Sequence, residues 1–406
     1  MSESGVTPAA VRETRRTLGR RLALVVVALT IIAPFSIDTY LPSLPDIARE
    51  FNVSGFYLQQ TLSLYLIAFA AMTLVYGPLS DTFGRRRVVL VSAAIYVASS
   101  IGCALAASAH ALLALRVAQG LSASGGLVVS RAIIRDTFSG ASAQRVMSRV
   151  MLMFALAPAI APIIGGWLHD VFGWRSVFWF MAALGATVWA LVKMMLPETL
   201  APADRHPGHP RAIGAAYLRA LRQPRFMALI VAISLNFSGL FLYIAGSPII
   251  LYRDLGYGAQ DFGKMFVPIV AGLMAGAFAS GRMAGRYSHE QAVVAGFGIM
   301  LTAALINVGL GLWVEPSAIM VITPVAIYAG GMSLAMPNLS LLAFELFPKN
   351  RGLASAVQSF SQTAFCALVA GLLVPLLAAH IAWLAVGMLL STVLAFGVWM
   401  GWRALP

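Results

Sequence analysis

Asp38 lies within an apolar run long enough to cross a bilayer, the stretch LALVVVALTIIAPFSIDTYLPSL from Leu22 to Leu44. An unpaired carboxylate at that depth costs several kcal/mol, so ionisable groups in such runs mark proton or substrate pathways. Asp38 is the only acid that the sequence places well inside an apolar run. We therefore predict that Asp38 carries a proton.

A second ionisable residue, Arg116, is expected at a similar depth. Asp38 lies shortly before Pro42, the expected outer end of the first helix, and Arg116 shortly after His110, the outer start of the fourth. At about 1.5 Å per residue, the two groups lie about 6 and about 9 Å deep. Apolar surroundings disfavour a charged carboxyl group and a nearby cation favours it. We expect Asp38 and Arg116 to interact in one protonation state; the alternative is a fixed ion pair that only orients the helices.

The composition predicts the elements that position these residues. Of 406 residues, 60% are hydrophobic and 11% are charged, and the mean hydropathy is +0.84, which is unlike a soluble domain. Backbone amides in lipid need partners within the chain, so apolar runs of about 20 residues must be helices. A membrane barrel would alternate at every second residue, and this sequence does not. We predict an all-α integral membrane protein whose twelve helices span residues 22–44, 57–78, 87–108, 110–134, 146–168, 174–196, 226–250, 262–284, 291–313, 317–342, 353–377 and 380–402.

The net charge of +13 is a signal of topology. Most lysines and arginines fall in segments on the same side as the N-terminus, which is the positive-inside bias. This bias predicts cytoplasmic N- and C-termini and a lipid bilayer as the surroundings, with no nucleic-acid partner.

The longest polar interruption divides the predicted helices six and six. We predict a basic cytoplasmic tail at 1–21, a six-helix bundle at 22–196, a cytoplasmic linker at 197–225 and a second bundle at 226–406. Two such halves joined by a central linker are typical of parallel repeats about the membrane normal.

Several short motifs fall in order at particular helices and loops of the chain. GPLSDTFGRRR (77–87) follows the second helix, and a decayed copy, FASGRMAGRYS, follows the eighth with Arg282 where Asp81 would align. RVAQG begins at Arg116, and APAIAPIIGGW (157–167) lies in the fifth helix. SIDTYLPSLPDIA in the first helix and LPET after the sixth complete the set.

Together these motifs resemble the major facilitator superfamily, and in particular the Bcr/CflA branch of drug:proton antiporters. The resemblance implies two pseudo-symmetric six-helix halves and transport by alternating access. Ala161 replaces the first glycine of the family's G-P-x-x-G-G antiporter motif.

The motif at 77–87 predicts conformational control at the cytoplasmic side. Gly77 and Gly84 would permit a tight turn, and Asp81 would accept from Arg131, Arg135 or the start of the eleventh helix near Gly352, closing that side. The alternative is that the basic residues only signal topology. The motif residues are Gly77, Asp81, Gly84, Arg85 and Arg86.

The fifth-helix motif predicts a bent helix in close contact with a neighbour. Pro158 and Pro162 remove backbone donors, and Gly165 and Gly166 allow close approach. A hinge and a passive packing kink both fit this pattern.

The substrate cavity is expected to be apolar with a few polar anchors. Aromatic residues in membrane helices also pack or anchor at interfaces, so each residue has this alternative role. The cavity candidates are Phe35, Tyr40, Tyr65, Phe69, Gln119, Phe154, Asn236, Phe241, Tyr243, Tyr328, Asn338, Gln358 and Gln362.

The sequence thus predicts a transporter that is not an enzyme, with H⁺ as the coupling ion and no cofactor or metal. The chain has no G-x-x-x-x-G-K-[ST] phosphate loop, so ATP would not drive it. We expect a monomer in the bacterial inner membrane that exports small amphipathic drugs. The alternatives are transport of a metabolite, such as an amino acid derivative or siderophore, and a non-transporting membrane sensor.

Overall fold

A computed structural model describes residues 8–205, 210–348 and 350–404. Residues 1–7 of the predicted tail and 206–209 of the predicted linker lie outside the described residues. Within the described ranges the chain is helical and contains no strand.

Twelve helices are long and apolar enough to cross a membrane, which confirms the predicted number. Several extend beyond the predicted limits, because a helix continues through the polar interface after its apolar run ends. They are α1 Pro8–Asp38, α2 Gly55–Phe83, α3 Arg85–Ala104, α4 Ala109–Thr137, α5 Gly140–Phe172, α6 Arg175–Met195, α7 Pro224–Pro248, α8 Phe262–Met283, α9 His289–Trp313, α10 Ala318–Glu345, α11 Arg351–Leu368 and α12 Ile381–Ala404.

Three spans change helix type near one end of the bundle. After α1, a 3₁₀ turn at Leu41–Ser43 leads into a short helix at Leu44–Glu50, and α7 continues as a π-helical turn at Ile249–Asp254. α11 likewise passes through a π-helical turn at Val369–Leu373. Prolines lie at or next to all three changes, because proline removes a backbone donor.

The helix pairings of the first half recur six helices later. α1 packs on α4, α5 and α6, as α7 packs on α10, α11 and α12. The pairs α2–α4, α3–α4 and α3–α6 recur as α8–α10, α9–α10 and α9–α12. The halves meet chiefly through α2 with α11 and α5 with α8. This confirms two pseudo-symmetric six-helix halves.

An even number of spans puts both ends of the chain on the same side of the bundle. We call this side the terminal end; it also holds the α2–α3 turn and a linker helix at Pro210–Leu221. The other side, with the α1–α2 and α7–α8 connections, is called the opposite end.

Candidate functional site

Asp38 is the last residue of α1, at the break before the 3₁₀ turn. Its side chain is only 5% exposed, and it is the only buried carboxylate among the described residues. Within those residues, no cation forms an ion pair with it. A helix break inside the bundle therefore holds an acid without a countercharge in direct contact.

Arg116 of α4 is fully buried between two aromatic rings. Its guanidinium carbon lies 4.6 Å from the ring centre of Tyr40 and 4.3 Å from that of Tyr65. Its Nη1 donates to the carbonyl oxygen of Ser36 at 3.2 Å and to Gln119 Oε1 at 2.5 Å. Nε and Nη2 have no partner among the described residues. Because a desolvated cation–π contact contributes about 2 kcal/mol, the two rings hold the buried charge.

The structure brings Arg116 to α1 but does not pair it with Asp38. Arg116 binds the backbone of Ser36, two residues before the acid. Its donors Nε and Nη2 have no partner in the described part of the chain. The predicted contact between Asp38 and Arg116 is therefore not formed in this arrangement and stays a prediction for another protonation state.

A hydrogen-bonded network near Asp38 and Arg116 was not predicted from the sequence. Ser36 Oγ lies 2.6 Å from the Tyr96 hydroxyl of α3. Gln119 Nε2 donates to Ser100 Oγ at 2.8 Å, and Ser100 Oγ donates to the Tyr96 carbonyl oxygen at 2.7 Å. The only signal in the sequence was that Ser36 stands two residues before Asp38. The network ties α1, α3 and α4 together at the depth of the acid.

Gly120, the last residue of RVAQG, lies where α2 and α4 pack too closely for a side chain. A Cβ at this residue would overlap the backbone carbonyl of Tyr65 on α2. Any larger residue would push α2 and α4 apart. Because Tyr65 supplies one ring over Arg116, the glycine helps to place that ring.

A cluster around Arg85 forms the charged site at the terminal end. Arg85 is buried, and its Nη1 lies 2.5 Å from Asp81 Oδ1. Its Nε donates to Asp136 Oδ2 of α4 at 3.0 Å, and its Nη1 donates to Ser80 Oγ at 2.6 Å. One guanidinium thus joins the α2–α3 turn to α4. Asp136 was missed because its distance from Arg85 along the chain hid the pairing.

Glu198, three residues after the end of α6, caps the start of α3. Its Oε1 accepts from the backbone N–H of Arg85 at 2.9 Å, where a helix N-terminus favours negative charge. Gly84 adopts φ +92°, and a Cβ there would overlap the Glu198 carboxylate. The turn role expected of Gly77 is wrong, because this residue lies inside α2 with open space around it. Arg86 donates to the Lys193 carbonyl oxygen at 2.8 Å.

The predicted latch across the halves is not formed in this structure. Asp81 pairs with Arg85 of its own half. Arg131, one of its expected partners, instead donates to Ser355 Oγ on α11 at 3.0 Å. Arg135, another of them, lies 3.9 Å from the carboxylate of the neighbouring Asp136. No hydrogen bond joins Asp81 to the start of α11 among the described residues.

α5 contacts both halves through its two glycines. Pro158 and Pro162 lie inside the helix. A Cβ at Gly165 would overlap the carbonyl of Thr39, the residue after Asp38, and a Cβ at Gly166 would overlap the carbonyl of Ala259 in the second half. The predicted close approach is present, and it places α5 directly against the segment that carries the acid.

Four of the six cavity candidates of the first half lie around Arg116. Tyr40 donates to or accepts from Thr61 Oγ1 at 2.8 Å. Tyr65 lies 6.2 Å from Phe69 between ring centres. Phe35 is half-buried. Tyr40, Tyr65, Phe69 and Gln119 therefore form one group with Arg116. Phe35 instead packs against Phe180 of α6, with 6.2 Å between ring centres.

Three candidates of the second half are engaged in packing between helices. Each makes a side-chain hydrogen bond within that half, which favours a structural role: Tyr243 with Asn307 at 2.6 Å, Tyr328 with Thr392 at 2.9 Å, and Asn338 with His289 at 2.8 Å.

The remaining candidates are dispersed. Asn236 is fully buried, and neither atom of its amide has a partner among the described residues. Phe241 is buried and stacks on a neighbouring phenylalanine. Gln358 donates to a serine of α10 at 2.9 Å, and Gln362 is half-buried. Phe154 is 42% exposed on α5 and does not join the Arg116 group.

The halves are joined by polar contacts mainly at the opposite end. Tyr252 donates to the Pro42 carbonyl oxygen at 2.8 Å. Three side chains of α2 donate to backbone carbonyls of the other half: Gln59 to Ala245 at 3.1 Å, Gln60 to Gly371 at 2.8 Å and Ser63 to Ala367 at 2.8 Å. These contacts close the opposite end.

At the terminal end, the linker helix is anchored through Tyr217. Its hydroxyl donates to the Leu74 carbonyl oxygen at 3.0 Å. Burial raises the pKa of this phenol, so it stays a neutral donor.

Comparison with known proteins identifies the family to which this chain is similar. Residues 26–370 match the family model described as the Major Facilitator Superfamily. A bicyclomycin resistance protein homolog of Haemophilus influenzae is 30% identical, over 81% of this chain and 82% of its own length. The MFS-type transporter YdgK of Bacillus subtilis is 32% identical, over 83% and 84%. The multidrug resistance protein MdtL of Escherichia coli is 28% identical, over 82% and 83%.

Two solved structures share the fold. The human organic anion transporter MFSD10 (TETRAN) has a TM-score of 0.66 at 19% identity, covering 95% of this chain and 99% of its own. A bacterial homolog of the human lysosomal transporter Spinster, inward-facing and unoccupied, has a TM-score of 0.67 at 18% identity, covering 96% of both chains.

Proposed function

The chain belongs to the major facilitator superfamily, with relatives of the Bcr/CflA type, and on that premise we propose that it exports small amphipathic drugs in exchange for protons. The closed opposite end supports an inward-facing arrangement in this proposal. The terminal end is then cytoplasmic and the membrane is the bacterial inner membrane.

The buried acid carries the proposal. Asp38 is the only buried carboxylate in the described part of the chain. Arg116 binds the backbone two residues before it and has two donor atoms without partners among the described residues. When Asp38 loses its proton, the free donors of Arg116 attract the carboxylate; when Asp38 is protonated, this attraction ends. Because Arg116 also holds the α1 backbone at Ser36, the change in attraction is transmitted to α1.

Substrate binding is coupled to the same group of residues. The rings of Tyr40 and Tyr65 lie over Arg116, and Phe69 extends this buried aromatic cluster, which would open to substrate in another arrangement of the halves. An amphipathic molecule on this surface competes with the contacts of Arg116. Proton and substrate thereby favour different arrangements of one site, as antiport requires.

The relatives support a drug as the substrate. Two of them are named for bicyclomycin and multidrug resistance. A compound panel for this chain therefore begins with bicyclomycin and includes amino acid derivatives and siderophores, which test the metabolite alternative.

The test is transport by the purified chain in liposomes under an imposed pH gradient. We expect substrate-dependent proton flux, and we expect Asp38→Asn to bind substrate while losing the coupling. Asp46→Asn is the matched control, since Asp46 is a partly exposed acid paired with Arg49, and it should remain coupled. Full proton-coupled transport by Asp38→Asn refutes the carrier role, and an absence of flux with every compound refutes transport.

A further inference from the structure

A separate cavity of about 460 Å³ lies between the two halves at the opposite end. This volume is within the range of small-molecule sites, which is about 300–1,000 Å³. Asp38 and Arg116 do not line it. Its lining includes Pro45, Ala48, Gln59, Tyr252, Arg253 and Ala378.

Hydrogen bonds between the halves seal the cavity from the membrane centre. Gln59 forms part of its wall and donates to the Ala245 carbonyl oxygen. Ser63, one helical turn deeper on α2, donates to the Ala367 carbonyl oxygen. Tyr252, also part of the wall, donates across the halves to the Pro42 carbonyl oxygen. The cavity is therefore reached from the opposite end and not from the Asp38 site.

The chemistry of the walls selects an amphipathic ligand. Most of the wall is aliphatic or aromatic, and Pro45, Pro248 and Pro375 make it stiff. Arg253 is the one cation of the lining; its side chain is 47% exposed and pairs with Asp254 at 2.7 Å. Arg253 Nη1 also donates to the carbonyl oxygen of Ala378, so Nη2 is the guanidinium nitrogen left for a ligand. An apolar ligand with a hydrogen-bond-accepting or anionic group complements this nitrogen and the apolar wall.

The walls also determine what a bound ligand would do. Leu44 to Gln59 belong to the first half, and Pro248 to Ala378 belong to the second. The cavity therefore exists only while the halves are together at this end. A ligand that binds one arrangement shifts the population toward it.

We propose that this cavity is an external site for amphipathic compounds carrying an acceptor group, and that its occupancy holds the opposite end closed. Exported compound that accumulates outside binds here and slows further export. The external position of the site and the identity of the ligand as an exported compound rest on the proposed function; the cavity and its conformational effect do not.

The binding test uses 1-naphthoate and the full chain in lipid nanodiscs, with empty nanodiscs subtracted. We expect saturable binding that Ala48→Trp, which fills the cavity, abolishes. Leu105→Trp, at a residue 66% exposed near the same end, is the matched control and should bind as the unmodified chain does. Arg253→Gln should weaken naphthoate about tenfold, the loss of one charge-assisted hydrogen bond, and leave 1-naphthalenemethanol unchanged.

The conformational test measures the distance between spin labels at Leu105→Cys and Trp313→Cys, exposed residues of the two halves near the opposite end. Native Cys103 and Cys366 are buried and are replaced by serine. Naphthoate should narrow the distance distribution toward its shorter component, and Ala48→Trp should remove this response.

The outcomes separate this proposal from the proposed function. No saturable binding, equal binding by Ala48→Trp, or an unchanged distance distribution overturns the external site even if the chain transports. Binding and closure in a chain that transports nothing support the external site and refute export. If Ala48→Trp does not fold, the difference between naphthoate and naphthalenemethanol with Arg253→Gln decides.

Discussion

Replacing Arg116 by lysine tests whether the aromatic cage formed by Tyr40 and Tyr65 stabilises the buried cation, or whether a positive charge alone is sufficient. The guanidinium lies over both Tyr40 and Tyr65, whereas an ammonium is a compact point charge that reaches one ring. The loss of one buried cation–π contact is about 2 kcal/mol. The loss of one of the two hydrogen bonds from Nη1, to Ser36 or Gln119, adds about 1.5–3 kcal/mol.

We therefore expect Arg116→Lys to lower the free energy of unfolding by about 4 kcal/mol and to impair proton-coupled transport. Unfolding in mixed detergent gives the first quantity, and liposome flux gives the second. Arg131→Lys is the matched control, because Arg131 makes one side-chain hydrogen bond, to Ser355, and should cost less than about 1 kcal/mol. If Arg116→Lys were as stable and as well coupled as the unmodified chain, the cage would have no role.

Two further substitutions test the packing of α5 and the charged cluster. Gly165→Leu should lower the free energy of unfolding by about 1–3 kcal/mol and reduce transport, because its side chain would displace the Thr39 backbone; Gly298→Leu, at a position with open space, should have little effect in the same assays. Equal behaviour of the two would exclude tight packing at Gly165. Asp81→Ala should reduce turnover more than substrate affinity, because Asp81 binds Arg85 in the α2–α3 turn and not substrate; a change in affinity at normal turnover would contradict this role.

The sequence was sufficient to predict the number of membrane-spanning helices, because each span is determined by its own local sequence. Length, apolarity and backbone satisfaction act within about 20 residues, so the number of helices follows from each segment alone. The same rules place Asp38 and Arg116 within membrane-length spans, whereas their depths of about 6 and about 9 Å stay a prediction. The close approach at Gly165 and Gly166 was also predicted, since small residues allow it whichever helix is the neighbour.

The partners of these residues could not be found in this way. Asp136 and Glu198 both reach the Arg85 segment, although each lies far from it in the chain. Gly77 and Gly84 belong to the same motif, yet only Gly84 has a positive φ. A motif does not state which of its glycines the backbone needs.

The sequence by itself determined a helical membrane protein of twelve spans, the presence of an acid within its first span and the resemblance to a transporter family. These depend on composition and on spacing within single segments. Only the tertiary structure decided that Arg116 binds the backbone near Asp38 rather than its carboxylate, that the halves close at the opposite end, and that a cavity remains between them. Such features are contacts between segments distant in the chain, and they depend on how the helices pack against one another.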